Sequence, residues 1–133
     1  MKIFKNVKGF FTSKAWKQAD ELFEESFERR MREQGHFEYT EKSFQIKNSS
    51  GIIEVLWADV NEIRAYKVDL LTVDEIRIDI LSETSTITIT EETPGYYIFK
   101  EKLKAVFPSL DLNWEEKVVK PAFAKNLTVI YKK

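Results

Sequence analysis

Cysteine is absent from this sequence, and histidine occurs once, as His36. Without cysteine the chain has no disulfide framework and no thiol chemistry, and a zinc site would depend on one histidine and on carboxylates. Nucleophilic catalysis usually needs a histidine as the base, but His36 follows Gly35 at the predicted end of a helix, where it needs no function. We therefore predict that the protein is not an enzyme and that it holds neither a metal ion nor a cofactor.

Glycine and proline are also scarce, with four and three residues. The glycines stand far apart, at positions 9, 35, 51 and 95, so they form no phosphate-binding loop. No segment approaches the roughly 20 apolar residues that a membrane-spanning helix needs. A hydrophobic content of 43% in 133 residues is typical of one folded domain. The lack of cysteine favours a reducing, cytoplasmic compartment.

Charge is balanced over the whole chain but not along it. The net charge is −1, yet residues 34–99 contain 12 acidic and 5 basic groups, whereas residues 100–133 contain 4 acidic and 8 basic groups. Nucleic-acid-binding surfaces are usually basic, so the acidic middle of the chain argues against a nucleic-acid partner. It favours a cationic protein partner, because opposite charges steer and hold a complex.

The strongest secondary-structure signal lies in the run 52–81, where β-branched and aromatic residues dominate. Ile76, Ile78 and Ile80 alternate with polar residues, which is typical of a half-buried strand. Two more strands are predicted earlier in the same run. Similar signals predict a hairpin over 37–47, a strand over 86–90 and a final strand over 127–131.

Three helices are predicted from the spacing of apolar residues and from end signals. The longest covers about residues 14–34, where apolar residues recur at three- and four-residue steps. A second covers 95–107, with Thr93 as its cap and a proline at its first turn. A short third helix follows Asn113, whose capping-box partner is Glu116.

These elements predict one α+β domain over residues 1–133. It consists of a strongly twisted antiparallel sheet of about five to seven strands, with the 14–34 helix and the 95–107 helix packed on it. Along the chain it divides into a basic amphipathic segment, a helix, a block of strands, a helical block and a last strand: 1–12, 13–34, 37–91, 94–120 and 127–131.

One pattern of residues extends from about position 37 to position 131. It comprises Trp57–Leu70, then Asp74–Ile76, Gly95–Phe99, Leu103, Phe107, Pro108, Trp114, Pro121–Phe123 and Asn126. This order resembles that of small bacterial single-domain families. Two predicted strands are separated by the sequence Trp-x-Asp-Val, and this arrangement is similar to that of PH-like domains. The resemblance implies a bent sheet with a helix. Other small proteins of this appearance are immunity proteins, and that resemblance implies a partner toxin.

The leading functional hypothesis is a non-catalytic protein-binding module, of which an immunity protein is one kind. An acidic sheet face would engage a cationic partner such as a nuclease toxin. The predicted partner-binding residues are the acidic residues of the central strands and their turns: Asp59, Glu62, Asp69, Asp74 and Glu75.

Two alternatives stay open. In the first, the protein is a peripheral membrane or lipid-binding domain, because the first eleven residues combine apolar residues at helical spacing with lysines. The membrane-binding residues would be Lys2, Phe4, Lys5, Lys8 and Phe11. In the second, a small-ligand pocket or an enzyme site forms where the sheet meets a helix.

Overall fold

A computed structural model of the chain describes residues 18, 21, 22, 24–26, 28, 29, 32–120 and 124–133. Among the described residues from 33 onward the fold is α+β: seven strands form two antiparallel sheets, and two helices lie between the sixth and the seventh strand. The predicted membrane-binding segment, 1–12, lies outside the described residues.

The first sheet is a three-stranded meander formed early in the chain. Its strands are β1 (Phe37–Tyr39), β2 (Ser43–Asn48) and β3 (Gly51–Leu56), in that order. The β1–β2 turn is closed by Thr40, whose hydroxyl accepts hydrogen bonds from two backbone N–H groups of the turn, those of Lys42 and Ser43. This confirms the hairpin predicted over 37–47.

The second sheet has four strands in the order β6-β5-β4-β7. The strands are β4 (Val60–Asp69), β5 (Asp74–Ser82), β6 (Thr86–Thr90) and β7 (Thr128–Lys132). All neighbours are antiparallel, and the predicted last strand pairs with β4. A 3-10 turn, Trp57–Asp59, connects the first sheet to the second.

Alternation along the second sheet separates a buried face from a solvent-facing face. Ile78 and Ile80 of β5 and Ile63 of β4 are fully buried, whereas Arg77 and Asp79 project to the other side. The pattern predicted for residues 76–80 is therefore confirmed. We call the solvent-facing side of this sheet its outer face.

Helix α1 spans Tyr96–Val106, within the limits predicted for it, but it begins differently from the prediction. Its N-cap is Gly95, which makes no side-chain cap bond, and Thr93 does not cap the helix. The Thr93 hydroxyl accepts the Thr90 N–H instead, so it closes the turn after β6. Competition from this local turn explains why the capping prediction was wrong.

Helix α2 spans Trp114–Val119, and here too the predicted capping bond does not form. Asn113 occupies the N-cap position without a side-chain cap bond. The Asp111 carboxylate accepts the Asn113 N–H at 2.9 Å, so a residue two positions earlier holds the helix entry.

One apolar core joins both sheets and both helices. Its centre is aromatic: the Phe99 ring of α1 lies 4.8 Å from that of Phe37 and 5.1 Å from that of Phe44. The Trp57 ring lies 4.9 Å from Phe44 and also contacts Phe107. The first sheet and the turn that contains Trp57 therefore pack against α1 and the residue that follows it.

The predicted single sheet of five to seven strands was wrong, because the seven strands divide between two sheets. The 3-10 turn is the physical reason: Trp57 is buried and its N–H bonds the Lys42 carbonyl, so the chain leaves β3 before β4 begins. The long helix over 14–34 is not borne out, since much of that range lies outside the described residues. Its described residues up to Arg32 have helical backbone, Glu33 and Gln34 do not, and the side chains of all of them are exposed.

Candidate binding site at the acidic end of the second sheet

The structure separates the five predicted partner-binding residues into two groups. Asp59 and Glu62 lie where β4 begins, whereas Asp69, Asp74 and Glu75 lie at the β4–β5 turn. Glu62 and Asp69 are seven residues apart on one strand, a separation of roughly 23 Å. The five residues therefore do not form one continuous patch.

The group at the start of β4 has mixed charge. The Glu62 carboxylate pairs with the Arg64 guanidinium on the outer face. The Lys133 ammonium donates to the Ala58 carbonyl at 2.7 Å, beside Asp59. Cations therefore balance the carboxylates here, and this end of the sheet has little excess negative charge.

Asp69 is the exposed member of the second group. Its carboxylate accepts the Leu71 N–H at 2.8 Å, and Leu71 adopts a left-handed φ of 77°. This bond is an Asx turn, so Asp69 closes the β4–β5 connection while the rest of its carboxylate faces solvent. It combines a turn role with an accessible negative charge.

Asp74 points inward rather than toward a partner. Its carboxylate lies 3.3 Å from the Lys67 ammonium, and only 3% of the Lys67 side chain is exposed. The same ammonium donates to the Val119 carbonyl at the end of α2, at 2.7 Å. Buried charges persist when they are paired and hydrogen-bonded, so Asp74 and Lys67 join the sheet to the helix.

Glu75 lies on the outer face with Arg77, two residues further along β5, at 2.9 Å. The Glu75 side chain is only 14% exposed, so little of its carboxylate is accessible, and the pair with Arg77 partly neutralises it. The outer face next to it carries a hydrogen-bonded group in which Tyr66 and Thr88 both donate to Asp79.

Two acidic residues that the sequence analysis did not select lie at the same end of the sheet. Glu91 and Glu92 directly follow β6, and β6 pairs with β5. The Glu91 N–H bonds the Ile76 carbonyl at 3.1 Å, and the Glu91 carboxylate accepts the Ile76 N–H at 3.0 Å. A simple count across the predicted β5–β6 hairpin would have found this neighbour relationship.

We refer to this group of carboxylates as the acidic end. It consists of Asp69, Asp74, Glu75, Glu91 and Glu92. Five of the twelve acidic residues in the range 34–99 therefore lie together at one end of the second sheet, where Lys67 and Arg77 pair with two of them.

A cleft of about 200 Å³ opens beside the acidic end. Its lining combines three carboxylates with two tyrosines: Glu33, Glu91, Glu92, Thr93, Pro94, Gly95, Tyr96 and Tyr97. Acidic side chains next to aromatic rings provide both charge and stacking surface for a cation. We call this feature the tyrosine cleft.

Two glycines bring Glu33 to this cleft. A side chain at Gly35 would lie 2.0 Å from the Pro94 carbonyl oxygen, and one at Gly95 would lie 2.2 Å from the Gln34 carbonyl oxygen. Both glycines have positive φ, 61° and 94°. Only glycine allows two backbones to cross this closely, so the crossing fixes the position of one wall of the cleft.

Tyr96 is a buried member of the lining, with 3% of its surface exposed. Among the described residues its hydroxyl has no hydrogen-bond partner. Burial raises the pKa of Tyr96, and the negative charges of Glu115 and Glu91 raise it further. The hydroxyl is therefore a neutral, buried polar group close to carboxylates.

Lys100 is a cation that already binds to the two tyrosine rings and to a carboxylate in this region. Its ammonium lies 5.0 Å from the ring centres of both Tyr96 and Tyr97 and 2.8 Å from the Glu115 carboxylate. The two rings themselves meet edge to face at 5.4 Å. On one side of the two tyrosines, a cation is thus already held by both rings and by a carboxylate.

A wider depression lies on the other side of Glu33 and is lined by Ser26, Arg29, Arg32 and Glu33. Its arginines make it basic, so it marks where the acidic surface stops. Arg32 also lies 3.9 Å from Glu28, one helical turn earlier.

Three further observations on the described part of the chain concern a metal site, His36 and membrane-spanning helices. It contains no group of three or more potential ligands placed to hold a metal ion. His36 is exposed, and its N–H bonds the Pro94 carbonyl at 3.2 Å. Among the described helices, none has the length and apolar character required to cross a bilayer.

Comparisons of this chain with protein-family models, with curated proteins and with solved structures found no match. The resemblance to PH-like and immunity proteins thus depends on the sequence pattern alone, and the function has to be inferred from the acidic end and the tyrosine cleft.

Proposed function

We propose that this protein is a non-catalytic binding protein that engages a cationic protein partner through its acidic end. The observation that carries the proposal is the convergence of carboxylates from the β4–β5 turn and from the residues after β6, beside a cleft lined by tyrosines. Carboxylates steer a cationic partner at long range, and tyrosines supply the buried contacts that hold it.

The site residues have different parts in this proposal. Asp69 and Glu92 are exposed and contribute accessible charge, whereas Glu75 contributes a partly neutralised one. Asp74 supports the turn from inside through Lys67. Asp59 and Glu62, at the other end of β4, contribute only to the long-range field, which falls off within about 10 Å at 0.1 M salt.

Binding of a labelled decapeptide of alternating arginine and glycine tests the proposal. Its affinity for the full chain, measured by fluorescence polarisation, should fall as salt rises. The double variant D69N/E92Q should weaken binding roughly three- to tenfold. Asparagine at position 69 retains an oxygen for the Leu71 N–H, so the turn should persist.

The matched control removes the same number of charges elsewhere. Glu41 and Glu83 are exposed, and they lie in the β1–β2 turn and the β5–β6 turn, away from the acidic end. E41Q/E83Q should retain the decapeptide affinity within about twofold. Equal losses in the two double variants, or binding that does not respond to salt, would reject the acidic end as the site.

An immunity protein is the member of this class that the sequence resemblance favours. If the chain is one, the protein encoded immediately upstream should form a stoichiometric complex with it that survives gel filtration. D69N/E92Q should slow the formation of that complex and weaken its dependence on salt, since exposed charges act mainly on the association rate. An upstream product that does not associate with the chain would remove the immunity interpretation.

A further inference from the structure

The tyrosine cleft contains a buried group whose hydrogen-bonding capacity is unused. Tyr96 lines the cleft, is 3% exposed, and has a hydroxyl without a partner among the described residues. Leaving such a hydroxyl unsatisfied costs about 1–3 kcal/mol. The oxygen has almost no accessible surface, so a ligand reaches it only when the Tyr96 ring shifts toward the cleft, and a hydrogen bond donated to it would then recover that cost.

The surrounding groups are acceptors rather than donors. One oxygen of Glu91 accepts the Ile76 N–H, and Glu91 also lines the cleft. Glu33 reaches the cleft from the other segment of the glycine crossing. A ligand rich in N–H donors and positively charged would therefore match both the charge and the hydrogen-bonding character of the site.

The tyrosine rings in the lining limit which kind of cationic ligand the cleft can bind. The rings of Tyr96 and Tyr97 already attract the ammonium of Lys100, at 5.0 Å from each ring centre. Lys100 is held by Glu115 on the α2 side, which leaves the Glu91 and Glu33 side for a second cation. The cleft volume, about 200 Å³, is below the roughly 300–1,000 Å³ typical of drug-sized ligands and suits one side-chain head group.

We propose that the tyrosine cleft receives one basic side chain of the cationic partner, arginine in preference to lysine, with Glu91, Glu33 and the Tyr96 hydroxyl as its acceptors. This inference rests on the proposed function and assigns the partner's anchor residue. Arginine is preferred because its planar guanidinium bonds a carboxylate through two N–H groups and stacks on aromatic rings, which an ammonium does not.

The test uses small probes that are too short to span the acidic end. The full chain, labelled with ¹⁵N, is titrated with a capped Gly-Arg-Gly peptide, with its lysine counterpart and with its neutral citrulline counterpart. The arginine peptide should bind with a Kd on the order of millimolar at low salt. Its chemical-shift changes should be confined to residues 33–36 and 91–97. The lysine peptide should bind more weakly, and citrulline should not bind.

Two variants probe the acceptors. E91Q keeps an oxygen for the Ile76 N–H but loses the charge, and it should weaken the arginine peptide about tenfold. Y96F removes the unpartnered hydroxyl and should weaken it at least about threefold. The control E101Q alters an exposed carboxylate on α1 that pairs with Lys104, and it should leave the affinity unchanged.

The outcomes separate this inference from the proposed function. If the decapeptide binds the acidic end but the arginine tripeptide shifts no residue of the cleft, the anchor assignment fails and the acidic end stands. If Y96F and E91Q both bind the tripeptide like the original chain, the assignment also fails. If neither peptide binds, both proposals fail.

Discussion

Tyr96 carries a hydroxyl into the interior without giving it a partner among the described residues. Phenylalanine has the same ring and lacks that oxygen, so Y96F should raise the free energy of unfolding by about 1 kcal/mol, measured by urea denaturation. Tyr66 is the matched control, because its hydroxyl donates to Asp79 at 3.1 Å. Y66F should therefore lower stability by about 0.5–1 kcal/mol. A marked loss of stability in Y96F would mean that the hydroxyl is satisfied.

Lys67 is the buried cation that joins β4, the β4–β5 turn and the end of α2. Lys67→Met leaves the Asp74 carboxylate without this cation in a largely buried site, and it should cost about 3 kcal/mol. The double variant K67M/D74N should recover part of that loss, which chemical denaturation of the four proteins in the cycle would measure. Strict additivity would contradict the coupling of these two residues.

At the scale of elements, the fold depends on the backbone crossing between the residues before β1 and those before α1. Gly95 has a φ of 94° and an added Cβ would lie 2.2 Å from a carbonyl oxygen. Gly51 also has positive φ, 130°, but an added Cβ would meet nothing within 4 Å. A side chain at Gly51 would therefore impose backbone strain alone, whereas a side chain at Gly95 would impose both backbone strain and steric overlap.

Alanine substitutions at these glycines should differ in cost. G51A should lose about 1 kcal/mol, because only an unfavourable backbone conformation is imposed. G95A should lose about 2 kcal/mol more, since the backbones must also move apart. Thermal and chemical denaturation would measure both. Equal losses would show that the crossing accommodates a side chain.

Helix α2 is held at its start by Asp111, which accepts the Asn113 N–H and pairs with Lys117. These hydrogen bonds, with that to Lys117 the larger cause, hold the pKa of Asp111 below its ordinary value of 3.8. A depressed folded-state pKa means that the contribution to stability is present above 3.8 and is lost as the pH falls through the folded-state pKa. In an NMR titration the Asp111 midpoint should lie below 3.8 and rise in K117A. An unchanged midpoint in K117A would contradict this cause.

At the scale of the molecule, the two sheets are not independent units, because one aromatic core joins them through α1. Phe99 is fully buried and its ring contacts Phe37 and Phe44 of the first sheet. Phe99→Ala should cost about 3–5 kcal/mol. Because the core is shared, hydrogen-exchange protection should fall in β2 and in β5 together. Loss confined to the first sheet would indicate two separately stable parts.

Much of the local structure was predictable because it depends on neighbouring residues. Alternation identified β5, and Pro94 and Gly95 marked the approach to α1. The caps were mispredicted because Thr93 and Asn113 each stand beside a competing turn, whose hydrogen bonds depend on the actual path of the chain. The candidate site was only partly found: Asp69 and Glu75 were selected, whereas Glu91 was not.

The sequence by itself determined the α+β class, the strands and their buried sides, and the acidic excess in the middle of the chain, because periodicity and composition act locally. Tertiary structure decided the rest. It divided the strands between two sheets at the Trp57–Asp59 turn, and it brought Glu33 to Glu91 through the crossing of Gly35 and Gly95. It also turned Asp74 inward to Lys67. These outcomes depend on contacts between residues far apart in the chain, whose partners no local pattern specifies.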